Sequence, residues 1–119
     1  MTDDQLLITE ERLRNTRVRQ AFLECIDAIT MYELTVYDIE KSTHIYEAEE
    51  EWEALAGVSY FAQIVDRVTI RQLNKFRESY YKSPTNEDRE IIFRDFYHKS
   101  LNKRKINTIK DNDRKSKIN

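Results

Sequence analysis

Glycine and proline are almost missing from this 119-residue chain, which holds one of each, Gly57 and Pro84. An all-β fold needs many tight turns, and turns draw on these two residues. Their scarcity excludes that class and favours helices joined by few, short connections. Cysteine is equally scarce. Cys25 stands alone, so no internal disulfide can staple the fold, and on an apolar stripe it reads as a small buried hydrophobe rather than a nucleophile. No apolar run approaches the ~20 residues of a membrane span. Met1-Thr2-Asp3-Asp4 is acidic and Leu6-Leu7-Ile8 is too brief for a secretory core, so the expected location is the cytoplasm, with no membrane contact. A single glycine also rules out a glycine-rich phosphate loop.

Only His44 and His98 are present. His44 precedes Glu47 by three residues and Asp95 precedes His98 by three, so each pair shares a helix face. Di-metal sites of helical proteins need the Glu-before-His order twice, plus further glutamates. The first pair here is reversed, and neither a metal nor a cofactor is expected. With no base near Cys25 and no pre-organised pair of acids, the chain reads as non-enzymatic.

What is abundant is charge, at 35% of residues, and it is unevenly placed. Residues 1–57 carry 5 Lys/Arg against 14 Asp/Glu, a net of −9, and residues 58–119 carry 15 against 8, a net of +7. An asymmetry of this kind points to two different partners or to head-to-tail contact between copies.

The stretch from Thr9 to Ala56 holds neither Gly nor Pro, and Gly57 then breaks it. Within it Val18, Phe22, Cys25, Ile29, Tyr32, Val36, Ile39, Thr43 and Tyr46 recur at alternating steps of four and three, the a/d seam of a heptad pattern. The expectation is a long, bent helical segment over about 9–56, with Thr9 and its following acids at the start. Two places offer breaks. Thr35 with Asp38 has cap spacing, and Ser42-Thr43-His44 is the second candidate. Arg12, Arg14, Arg17 and Arg19 read as a surface strip paired with Glu10, Glu11 and Glu24.

Gly57 is expected to end this segment, and Ser59 to cap a second helix over about 59–82. Phe61, Ile64, Val65, Val68, Leu73, Phe76 and Tyr80 form its stripe. Thr69 and Gln72 have capping-box spacing, so a restart there is open. Ser83-Pro84 predicts the start of a third helix over about 84–102, with Ser83 at the N-cap and Pro84 in the first turn. The fold class is therefore all-α, a small antiparallel helical bundle over 1–102 built on a long heptad-bearing segment. Residues 103–119 read as a disordered basic tail.

The expected function is helix-mediated binding to a protein partner of unknown identity, with self-association as a homodimer through the seam. Partner contact is assigned to Glu47, Glu50, Glu51 and Trp52, an acidic run around the only tryptophan. The alternative is a nucleic-acid-associated protein whose tail residues Lys103, Arg104, Lys105, Lys110, Arg114, Lys115 and Lys117 neutralise phosphates without reading sequence. A helix-turn-helix over Leu34–Leu55 is rejected, because its recognition helix would hold five glutamates and no Lys or Arg.

Overall fold

The computed structural model describes residues 11–106, and among them there are helices and no strand. Five helices follow the helical residues 11–14. They are α1 (Thr16–Thr30), α2 (Val36–Ala48), α3 (Trp52–Ile64), α4 (Ile70–Lys82) and α5 (Asn86–Leu101). No helix among the described residues is long and apolar enough to cross a membrane. The expected start at Thr9 and most of the tail, from residue 107 onward, lie outside the described residues.

The 9–56 segment is not one helix. Asn15 interrupts it first, accepting the Arg17 and Val18 amides at 2.8 and 3.2 Å as the N-cap of α1. Its second break falls at 31–35, where Glu33 is left-handed (φ 54°) and the Leu34 amide reaches back to the Ala28 carbonyl at 2.8 Å. Thr35 then caps α2 with the full capping box expected from its spacing to Asp38. The Ser42-Thr43-His44 candidate stays helical. A third break closes α2 at Glu49–Glu51.

Gly57 does not end a helix. It lies in the middle of α3, buried against α1, where a methyl group would lie 2.8 Å from the Ala21 Cβ and inside van der Waals contact of the Val18 carbonyl. The glycine admits a neighbouring backbone, and the helix runs seven residues beyond it. Ser59 accordingly caps nothing. The 59–82 segment restarts where Thr69 and Gln72 form a capping box, with amide-to-side-chain distances of 2.8 and 3.1 Å. The last helix begins two residues later than expected. Ser83 donates its hydroxyl to the Ser79 carbonyl and closes α4, leaving Thr85 to accept the Asp88 amide at 3.1 Å.

Phe22 is the centre of the core. Its ring meets Phe61 of α3, Phe76 of α4, and Phe93 and Phe96 of α5 edge to face, with centroids 4.9–6.4 Å apart. α1 is consequently covered on several sides. The seam residues Val18, Phe22, Cys25 and Ile29 are buried, and so are Leu23 and Ile26 off the seam. Tyr32, assigned to the same seam, is 68% exposed, because the chain has already left the helix there. Arg19 departs from the expected surface strip in the other direction. It is 1% exposed, and its guanidinium donates to the Arg14 carbonyl (2.9 Å), Asn86 Oδ1 (2.7 Å) and the Tyr80 hydroxyl (3.4 Å).

Candidate interaction surfaces

The turn from α2 to α3 is built by two backbone closures. The Glu51 amide bonds the Tyr46 carbonyl at 2.9 Å and the Glu50 amide bonds the Glu47 carbonyl at 3.2 Å, a Schellman motif. Its left-handed position, where glycine is favoured, is held by Glu50 (φ 55°). Glu51 precedes α3 without capping it, since its side chain turns toward α1. Arg17 Nη2 donates to both Glu51 carboxylate oxygens at 3.2 Å, and Nη1 reaches Glu24 at 3.3 Å. The Tyr46 hydroxyl donates to the other Glu24 oxygen at 3.2 Å, with the Arg17 guanidinium 5.7 Å from the Tyr46 ring centroid. The Glu51 hydrogen bond raises the Arg17 pKa above its ordinary value, and burial, then Glu24, raises that of Tyr46.

This network fixes the direction of the corner. Trp52, the first residue of α3, projects outward and is 62% exposed, and Ile45 on α2 is 60% exposed. Glu47, Glu49, Glu50 and Glu53 are exposed around them, with His44 Nδ1 3.4 Å from Glu47. Of the four residues assigned to partner contact, Glu47, Glu50 and Trp52 thus lie together at the surface. Glu51 is half-buried and paired within the chain.

A groove of about 420 Å³ lies between α4 and α5. Phe76, Ile92 and Phe96 line it, and Lys75, Lys99 and Lys103 stand at it with Asp95 as the one acid. The stripes of α4 and α5 imply its walls. Lys103 belongs to the basic run that the sequence assigns to phosphate contact, whereas Lys75 and Lys99 are not grouped with it because they lie on two different helices, with Lys103 just past the end of the second.

The basic residues after the last helix are partly engaged. Arg67 donates to the Leu101 and Lys103 carbonyls at 3.2 and 2.9 Å, and Lys105 sits 3.8 Å from Asp66. The Ile106 amide bonds the Asp66 carbonyl at 2.6 Å. Arg104 is exposed, while Lys110, Arg114, Lys115 and Lys117 lie outside the described residues.

A second exposed apolar patch, Met31, Tyr32, Leu34 and Tyr37, marks the α1–α2 turn. The seam pattern hid it by assigning Tyr32 inward. Arg77 underlies it, bonded to Asp27 at 2.6 Å and 5.3 Å from the Tyr81 ring centroid. Cys25 lies beneath a cavity of about 160 Å³ between α1 and α2, and burial pushes its thiol up to about 12, so it is protonated at neutral pH. Among the described residues no group of three His, Cys, Asp or Glu is placed to hold a metal ion. No family model matches the chain, and neither a curated protein nor a solved structure shows significant similarity to it.

Proposed function

We propose that this protein is a non-enzymatic interaction protein that docks through the α2–α3 corner, with Trp52 as the apolar anchor and Glu47, Glu50 and Glu53 as its acidic rim. The observation that carries this reading is the exposed Trp52 held beside a left-handed glutamate. Tryptophan is the residue most enriched among binding hot spots. A non-glycine residue in the left-handed region costs about 1–2 kcal/mol, and such strain gathers at functional positions. Glu51 serves as a positioning residue, since its pairing with Arg17 aims the corner without offering a free carboxylate. The complementary surface has an apolar hollow ringed by Lys or Arg, because a basic rim would meet the glutamates and steer the encounter.

The reading is tested by affinity capture with wild-type protein and the Trp52→Ala variant, at low and at moderate salt. Partners with basic surfaces are expected to be retained by the wild type and lost from the variant. Identical capture by both proteins would reject the corner as the docking surface.

A further inference from the structure

The α4–α5 groove has the features that the corner requires of its partner. It is apolar at its floor, with Phe76, Ile92 and Phe96, and carries Lys75, Lys99 and Lys103 against one acid, Asp95. At about 420 Å³ it has room for an indole, and it is within the size range of specific pockets. The corner offers the opposite set: an outward indole, an exposed Ile45, and exposed glutamates to which no arginine among the described residues is paired as Arg17 is to Glu51.

We infer that the α4–α5 groove receives the Trp52 corner of a second copy of this chain, so that the protein self-associates head to tail. The inference rests on the corner being a docking surface and adds the identity of what it docks on. Three facts select a second copy as the occupant. Charge complementarity is the first, a glutamate rim meeting a lysine rim. The second is that the apolar seam of α1 is buried within the chain and leaves no stripe there for a coiled-coil partner. The third is that residues 107–119 carry a net charge of the groove's own sign, four Lys/Arg against two Asp. A contact between two different surfaces repeats from copy to copy until a ring closes. Each copy then keeps both a donor corner and an acceptor groove.

The test is sedimentation velocity on the full chain over a range of concentrations. Wild-type protein is expected to gain mass with concentration, more so at low salt. Trp52→Ala blocks the corner and Lys75→Glu/Lys99→Glu blocks the groove, and each should weaken self-association by at least about tenfold. Mixed together, the two variants retain one intact corner and one intact groove, and they should form a dimer and nothing larger. That dimer also shows that both variants are folded. Zero-length carboxyl-to-lysine cross-linking of a ¹⁴N/¹⁵N mixture should join Glu50 or Glu53 to Lys75, Lys99 or Lys103 between chains.

A wild-type protein that stays monomeric at every concentration overturns the inference. So does self-association that neither variant weakens. Cross-links from Asp3, Asp4 or Glu10 to the groove lysines within one chain would also overturn it, and would assign the groove to the chain's own first residues. If the purified protein is monomeric while capture still depends on Trp52, the second copy is excluded and the docking corner stands. If Trp52→Ala changes neither measurement, both fall.

Discussion

Arg17 and Glu51, 34 residues apart, meet through both carboxylate oxygens at 3.2 Å, and this pair ties the start of α3 to α1. Both side chains are about one-third exposed, so solvent screens part of the attraction. A two-oxygen geometry still places the pair at the upper end for exposed ion pairs. A double-mutant cycle of Arg17→Ala and Glu51→Ala, read by urea denaturation, should return a coupling of about 0.5–1 kcal/mol. Each single variant should also shift the emission of Trp52, since the corner loses its tether. A coupling near zero would mean that the backbone closure alone holds the corner.

Glu50 gives a prediction of opposite sign. Replacing it with glycine relieves the left-handed strain, and stability should rise by up to about 1 kcal/mol. Glu50→Ala removes the same charge but keeps the strain, so it serves as the control. A glycine variant no more stable than the alanine variant would show that the conformation carries no cost here. If the corner docks as proposed, Glu50→Gly should be the more stable protein and the poorer binder.

Gly57→Ala sets two effects against each other. Helix propensity favours alanine by about 1 kcal/mol in a helix interior. The added methyl would lie 2.8 Å from the Ala21 Cβ and press on the Val18 carbonyl, so α1 and α3 must separate. Overpacking of this kind costs about 1–3 kcal/mol, and the variant should be destabilised. A stabilised Gly57→Ala protein would refute the close approach of the two helices.

Alkaline pH should unfold the protein through two buried acids. Burial pushes the Cys25 thiol up to about 12 from 9.0, and burial with Tyr60 nearby pushes the Tyr97 hydroxyl up to about 12 from 10.0. The Tyr97 hydroxyl also donates to Gln63 Oε1 at 2.7 Å. In both cases the folded state holds its proton to higher pH than the unfolded chain. Their contribution is therefore complete below pH 9 and declines as the pH rises from 9.0 towards 12. Urea midpoints measured from pH 7 to 11 should be flat and then fall, and Cys25→Ala should delay the onset. A midpoint unchanged at pH 11 would argue that neither group is shielded.

Much of the helical content is legible in the sequence, and the reasons are local. Thr35 with Asp38 and Thr69 with Gln72 are caps whose parts lie within four residues, and both form as their spacing requires. The stripe Phe61, Ile64, Val65, Val68, Leu73, Phe76 and Tyr80 is buried throughout. The misreadings concern features that spacing does not encode. The heptad count passes through Glu33, and the helical segment extends over Glu50, because neither periodicity nor a lack of Gly and Pro reports φ, and nothing in glutamate announces a left-handed backbone. Gly57 looks the same in a sequence whether it stops a helix or lets another helix approach. Arg19 is indistinguishable from Arg17 until Asn86, 67 residues away, arrives as its acceptor. At the site, the exposed tryptophan and its glutamates are contiguous and could be read directly. The groove joins two helices and could not.

The ring cluster around Phe22 divides the molecule into parts that do not open together. Four aromatic contacts link α1 to α3, α4 and α5, so detaching any of these helices disrupts the shared centre. α2 is outside that cluster, and Val36 is its only buried residue. Amide hydrogens of α1 should therefore exchange only through global unfolding, while those of α2 exchange through a cheaper local opening that leaves the centre intact. The helix that leads into the Trp52 corner is thus the least protected in the fold, and a partner seated on the corner would be recorded first as slowed exchange along α2.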